Sequence, residues 1–231
     1  SSSSTDTMTV TITITGADDA SVWAGTSTGS LTEDASTTTA SGALTISDVD
    51  DDTPTITDVS STAGANGYGN FVMASGTWTY TIDSSATDAL DAGDSVTDTY
   101  AFAASDTTTQ TVTITIAGAD DNVDAGSDGT GAVTEDASTT TATGSVSASD
   151  VDGDDSTFTY AIGTAAGTYG DLAMSGAAWT YTLDNSESAT DALDAGDSVT
   201  DAFTITVTET SSSSTDTMTV TITITGADDS V

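Results

Sequence analysis

Internal repetition constrains this chain more than any other feature of its sequence. Thr32-Glu33-Asp34-Ala35-Ser36-Thr37 returns as Thr134-Glu135-Asp136-Ala137-Ser138-Thr139. Trp78-Thr79-Tyr80-Thr81-Ile82-Asp83 returns as Trp179-Thr180-Tyr181-Thr182-Leu183-Asp184, and Ala86–Asp98 returns unchanged as Ala189–Asp201. Each pair is separated by about a hundred residues, the usual size of one domain. A longer repetition overlies this one, because Ser1–Asp19 is identical to Ser211–Asp229. The expected division is therefore 1–16, the final strand of a preceding or neighbouring repeat; 17–118 and 119–227, two β-sandwich repeats; and 228–231, the start of a further linker.

Within each repeat the apolar residues alternate. Val10, Ile12 and Ile14 share one face of Thr7–Thr15; Val112, Ile114 and Ile116 repeat the pattern, as do Val220, Ile222 and Ile224. Trp78, Tyr80 and Ile82 alternate with threonine, and Val199, Phe203, Ile205 and Val207 form another such face. Period-two alternation rich in β-branched residues marks half-buried strands, and Gly/Asp/Ser/Asn clusters punctuate them. About seven short strands per hundred residues predict an all-β chain of tandem antiparallel β-sandwich domains. The one helical candidate is a short turn at Ala86–Leu90 and its copy Ala189–Leu193, with Leu90 and Leu193 expected to cap the cores. Thr7–Thr15 reads as a strand whose own repeat is not in the sequence.

Composition then limits the chemistry. The 231 residues hold Lys+Arg 0, His 0, Cys 0 and Asp+Glu 37, a formal net charge of -37. Without Cys or His there is no disulfide and none of the usual zinc, copper or haem ligands. Without Lys or Arg there is no phosphate clamp, so nucleic acid is not an expected partner. No apolar run approaches the roughly 18 residues of a membrane span. Ser and Thr lack a His or Lys base, and the paired acids recur with the repeat, so no catalytic role is expected. A chain of this charge repels itself on folding unless salt or bound cations offset the charge. Its donors are all oxygens, which suit hard cations, Ca2+ above all.

The motifs, taken in order, resemble the VCBS repeat of bacterial surface proteins. The first unit supplies Thr32–Asp34, Ser47–Asp50, Gly67–Gly69, Gly76–Ile82, Ala92–Asp98 and Thr111–Gly118; the second supplies Thr134–Asp136, Ser149–Asp152, Gly167–Gly170, Trp179–Leu183, Ala195–Asp201 and Thr219–Gly226. The resemblance implies cadherin- or immunoglobulin-like sandwiches strung in extracellular adhesins, matrix proteins and surface filaments. Two departures stand out. The linker reads Gly-Ala-Asp-Asp at Gly16–Asp19, Gly118–Asp121 and Gly226–Asp229, without the Asn and Pro of that family, and the loop Ala103–Thr109 is shorter than its counterpart Thr208–Thr217.

Two kinds of acidic cluster are candidate Ca2+ ligands. The first combines the junction pairs Asp18/Asp19, Asp120/Asp121 and Asp228/Asp229 with Glu33/Asp34 and Glu135/Asp136, which follow the first strand of each repeat. The resemblance to cadherin-like joints implies that acids of two consecutive domains converge there on calcium. The second is Asp48, Asp50 and Asp52, with its copy Asp150, Asp152 and Asp154. Alternate acids in a turn can converge on one cation, but Ala161 stands where an EF-hand loop needs Glu, so this is a β-turn site or a bare loop. A third cluster, Asp98 and Asp201, falls on the apolar register of its strands; with no cationic side chain in the sequence, either a metal or a set of backbone N–H groups must satisfy each carboxylate, and hydrogen bonding at a strand end is the favoured reading.

These readings point to a structural tandem-repeat segment of a large secreted or cell-surface protein, stiffened by calcium at its acidic joints. Its expected partners are neighbouring repeats, in a longer chain or a homopolymeric filament. One alternative is a filament subunit joined by donor-strand addition of residues 7–15. Another is an adhesin module for a cell-surface or glycan target, in which Trp23, Trp78 or Trp179 would stack on sugars.

Overall fold

The computed structural model describes residues 1–50, 53–152 and 156–229. It is nearly all β, as the alternation predicts. The chain divides into two compact units: Ser1–Leu31, Thr37–Asp83 and Thr97–Thr115 form the first; Thr32–Ser36, Ser84–Val96 and Ile116–Val231 form the second.

The first sandwich is built from β1 (Val22–Gly25), β2 (Thr28–Thr32), β3 (Thr39–Ser47), β4 (Val59–Ala63), β5 (Gly69–Ala74), β6 (Thr77–Ile82), β7 (Ser95–Ala103) and β8 (Thr109–Ala117). One sheet has the order β1-β3-β6-β5-β4, the other β2-β8-β7. The four-residue helix α1, Ser84–Thr87, begins two residues before the expected turn and overlaps its first two residues. The alternation sets the burial. Trp78, Tyr80 and Ile82 of β6 point inward, as do Val112, Ile114 and Ile116 of β8. Phe71 and Phe102 complete an aromatic cluster with Tyr80 and Tyr100.

The second sandwich uses β9 (Gly129–Thr134), β10 (Thr141–Ser145), β11 (Phe158–Ile162), β12 (Gly170–Ser175), β13 (Ala178–Leu183), β14 (Ser198–Glu209) and β15 (Thr215–Thr225). Its sheets run β10-β13-β12 and β11-β14-β15-β9. All pairs are antiparallel except β9 with β15, which is parallel. A parallel pair needs a long connection, and nearly the whole repeat provides it. Trp179, Tyr181 and Leu183 face Phe203, Ile205, Val207, Val220, Ile222 and Ile224 in one core, against which Leu193 packs. At the β14–β15 hairpin the buried Glu209 carboxylate accepts hydrogen bonds from the hydroxyls of Ser211, Ser212 and Ser214.

The expected strand Thr7–Thr15 does not form; Met8, Val10, Ile12 and Ile14 lie 90%, 76%, 80% and 88% exposed. The cause is not in its residues. The identical sequence forms the buried strand β15, where β14 and β9 satisfy its backbone on both edges. A strand exists only against a neighbour, because its N–H and C=O groups have no partner within the segment.

Asp98 and Asp201 hold the loops that precede β5 and β12. Asp98 is fully buried and accepts from the backbone N–H groups of Asn66 (2.9 Å), Tyr68 (3.1 Å) and Thr99 (2.9 Å) and from the Tyr80 hydroxyl (3.1 Å). Asp201 accepts from Thr168 N–H (2.8 Å), Tyr169 N–H (3.0 Å) and the Tyr181 hydroxyl (2.8 Å). Burial, followed by the adjacent carboxylate, drives both phenols to stay protonated. Backbone donors therefore satisfy these carboxylates, as the sequence favoured. The glycine-rich loops admit them closely: a Cβ on Gly64 would lie 2.2 Å from Asp98 Oδ1.

Candidate metal centre

Four short segments of the second compact unit carry acids to one place. The first is Glu33-Asp34, just after β2. Its backbone is fixed by Glu33 N–H donating to Ala117 C=O at 3.0 Å. The second is the turn after α1, with Asp88 and Asp91. The third is the linker Gly118–Asp121, which is drawn tightly over that turn: Gly118 N–H donates to Asp94 C=O at 2.9 Å, and a Cβ on Gly118 would lie 2.2 Å from the Asp91 carbonyl oxygen. Only glycine permits this approach. The fourth is the Asp150-Val151-Asp152 turn, locked by Asp152 N–H donating to Asp150 Oδ1 at 3.0 Å.

These segments interlock through their carboxylates. Ala119 N–H donates to Glu33 Oε1 (2.9 Å), and Asp121 N–H donates to Asp152 Oδ2 (2.8 Å). One carboxylate oxygen from each of Asp91, Asp120 and Asp152 lies within 4.8 Å of the others. Glu33 is only 3% exposed, and its Oε2 is buried without a donor; the same holds for Asp121 Oδ2 and Asp150 Oδ2. A buried carboxylate oxygen with no donor costs free energy unless a proton or a cation meets it. The electrostatics carry that cost. Burial, then the approach of the Asp34 carboxyl, then the charges of Asp34, Asp152 and Asp88, push Asp121 up to about 7. Burial also raises Glu33, against the Ala119 hydrogen bond, with Asp34, Asp152 and Asp88 adding to it.

The donor set fits a hard cation. It is all oxygen, it mixes buried and exposed carboxylates, and the chain has no cationic side chain to neutralise it. Glu33, Asp91, Asp120, Asp121, Asp150 and Asp152 are the residues that would hold such an ion. Of the residues expected from sequence, Glu33, Asp34, Asp120, Asp121, Asp150 and Asp152 meet here. The structure thus joins the two kinds of cluster, junction and turn, which the sequence kept apart. Asp88 and Asp91 were not anticipated. Their signal was the unchanged recurrence of Ala86–Asp98, in which the apolar alternation of the strands accounts for neither Asp88 nor Asp91.

The remaining expected residues form two partial versions of this arrangement. In the first compact unit Asp19 N–H donates to Asp50 Oδ2 (2.6 Å) and Asp50 N–H to Asp48 Oδ1 (2.8 Å), which repeats the Asp121–Asp152–Asp150 pattern. Asp18 lines the same basin with Ser21, whose hydroxyl donates to Asp106. At the far end of the second repeat, Glu135 is buried, its Oε2 has no donor, and burial raises it, with Asp229, Asp136 and Asp191 adding to the rise. Asp228 Oδ1 accepts from Ala195 N–H at 3.2 Å. Asp52 and Asp154 lie outside the described residues.

A family model described as the bacterial cadherin-like domain matches residues 18–118 and again 120–226. The chain belongs to this family. The matches end at Gly118 and Gly226, each the first residue of a Gly-Ala-Asp-Asp linker, so in this chain the candidate centre falls where one matched domain passes to the next. Among solved structures the chain is similar to protocadherin gamma B2 extracellular cadherin domains 3–6, with 15% identity over 90% of this chain and 47% of that one, and a TM-score of 0.48. It is similar also to PcdhgB3 EC1–4 (13% identity, 90% and 50% covered, TM-score 0.49) and to human CDH23 EC21–23 (14% identity, 85% and 67% covered, TM-score 0.44). The chain spans about half the length of the two protocadherins, 47% and 50%. No curated protein matches the chain. No helix among the described residues is long and apolar enough to cross a membrane.

Proposed function

We propose that this chain is a structural segment of a large extracellular surface protein of VCBS type, an adhesin stalk, matrix protein or filament. In this reading, calcium binds the acidic joint and fixes one cadherin-like domain against the next. The observation that carries it is the meeting of one carboxylate oxygen each from Asp91, Asp120 and Asp152, with the buried Glu33 Oε2 left without a donor and Glu33 raised by burial and by the charge of Asp152 among others. A bound divalent cation would supply opposite charge to carboxylates that otherwise repel one another. The chain's own residues do the rest. Glu33 ties the linker to the end of β2 through Ala119 N–H, and Asp121 ties it to the following turn through Asp152. Loss of the cation leaves these ties between like charges, so the joint loosens.

The partial sites at Asp18/Asp19/Asp48/Asp50 and Glu135/Asp136/Asp228/Asp229 would be completed by neighbouring repeats in the same way. The three tryptophans do not favour a glycan-binding reading: Trp78 and Trp179 are 0% and 2% exposed, and the Trp23 indole N–H donates to Thr108 Oγ1 at 2.9 Å. Cadherin-like domains are adhesion or structural modules, which accords with a non-enzymatic role. The test is calorimetric titration of the full chain with calcium. The expected result is saturable binding that magnesium does not match and that Asp91→Asn with Asp120→Asn weakens at least about tenfold, a loss of about 1.4 kcal/mol. Binding unchanged by that double substitution refutes the assignment.

A further inference from the structure

Asn66-Gly67 is the one Asn-Gly pair in the sequence, and both residues are exposed. They lie in the loop that precedes β5, in a turn where Gly67 N–H donates to Gly64 C=O at 3.2 Å, the long end of a hydrogen bond. Gly67 has a φ of 78°, and a Cβ added there would meet nothing within 4 Å, so no neighbouring element crowds it. An asparagine followed by glycine can react with itself, because no side chain shields the glycine nitrogen from the asparagine carbonyl carbon. We propose that Asn66 is a site of spontaneous, one-way deamidation, and that the product no longer holds its loop on β7. In the first step Gly67 N bonds to Asn66 Cγ and the Cγ–Nδ2 bond breaks; the Gly67 amide proton leaves with Nδ2 as ammonia. The cyclic imide then takes up one water, which opens it at either carbonyl. The products are aspartate or, with the main chain rerouted through Cγ, isoaspartate.

The structure sets both the rate and the consequence. Asn66 N–H donates to the buried Asp98 Oδ1 (2.9 Å), the Asn66 side-chain amide donates to Thr97 C=O (2.7 Å), and Ala65 N–H donates to Thr99 C=O (2.9 Å). Ring closure has to swing Asn66 Cγ onto Gly67 N, which breaks the bond to Thr97 and turns the backbone that presents Asn66 N–H to Asp98. Asn66 therefore reacts from the opened loop, and its rate reports how often the loop opens. Once it has reacted, the loop cannot close as before. Aspartate puts an acceptor oxygen where Nδ2 donated to Thr97 C=O, and it adds a negative charge near Asp98 in a chain with no cationic side chain to offset it. Isoaspartate also lengthens the main chain by one carbon between the N–H groups of Asn66 and Tyr68, which donate to the two oxygens of Asp98. The second repeat is spared. There Thr168 N–H makes the corresponding bond to Asp201 Oδ1 at 2.8 Å, and threonine has no amide to cyclise.

The test ages the full chain in mildly alkaline buffer beside a peptide of residues 62–69. Conversion at each asparagine is followed by mass spectrometry of chymotryptic fragments, and isoaspartate is counted by enzymatic methylation. In the folded chain Asn66 should convert at least about tenfold faster than Asn70, Asn122 or Asn185, and at least about tenfold more slowly than in the peptide, each a difference in barrier of about 1.4 kcal/mol. Conversion spread evenly over the four asparagines, or as fast in the folded chain as in the peptide, overturns the inference. The consequence is read separately, on converted chain purified from the aged sample and on Asn66→Asp. Both should unfold at a lower urea concentration than the starting chain. Unfolding at the same concentration overturns the claim that the product releases the loop.

Discussion

Calcium binding at the joint should release protons, and the amount follows from the site. Asp121 is held at about 7 by burial and by Asp34, Asp152 and Asp88. A carboxyl with that value carries roughly 0.9 proton at pH 6 and roughly 0.1 at pH 8. A bound cation favours the charged form and expels what remains. Each calcium taken up at this joint should therefore displace close to one proton at pH 6 and almost none at pH 8, with Glu33 adding to the release at the lower pH because burial raises it too. Titration calorimetry in two buffers of different ionisation enthalpy measures the number directly. The Asp121→Asn chain should lose most of the pH 6 release. A release that is the same at both pH values, or that Asp121→Asn leaves unchanged, would refute the electrostatic account of the joint.

Three further outcomes are expected. The metal-free chain should be more stable at pH 5 than at pH 8. Raised acids such as Asp121 and Glu33 contribute stability when protonated and lose it as pH rises through their folded values, so chelator-treated protein should melt lower at pH 8, with the calcium form showing a smaller dependence. Asp201→Ala leaves the buried Tyr181 hydroxyl and the part-buried Thr168 and Tyr169 N–H groups without their acceptor. At about 1–3 kcal/mol for the buried donor and less for the part-buried ones, the cost should be roughly 2–4 kcal/mol in urea unfolding, a large part of a domain's stability. Gly118→Ala forces a methyl to within 2.2 Å of the Asp91 carbonyl oxygen. It should cost about 1–3 kcal/mol and weaken calcium binding in the same titration, because the linker that carries Asp120 must move away from the turn that carries Asp91.

Much of this architecture is legible in the sequence because period-two alternation and exact repetition report directly on strands and domains. Trp78/Trp179 and Tyr80/Tyr181 fall in the cores, as their recurrence implies, and Asp98 and Asp201 find the backbone donors that their apolar register demands. What alternation cannot report is whether a strand has a neighbour. Thr7–Thr15 and Thr217–Thr225 are the same peptide, and only pairing with β14 and β9 makes one of them a strand. The joint was legible in part for a similar reason. Glu33, Asp120 and Asp152 stand out as acids at punctuation points, but their meeting depends on how the linker crosses the turn after α1. Asp91 joins them by that crossing, and no local spacing announces it.

The central claim is that calcium organises the joint, and thermal unfolding of the full chain tests it most directly. Melting is followed at pH 7.5 and constant ionic strength, in calcium, in magnesium and in chelator. The account predicts a rise of several degrees that is specific to calcium, since saturating ligand at about a hundred times its dissociation constant contributes about 2.7 kcal/mol. It also predicts that Asp91→Asn with Asp120→Asn removes most of that rise. Equal melting temperatures in calcium, magnesium and chelator would contradict it and leave the acids as a solvated surface.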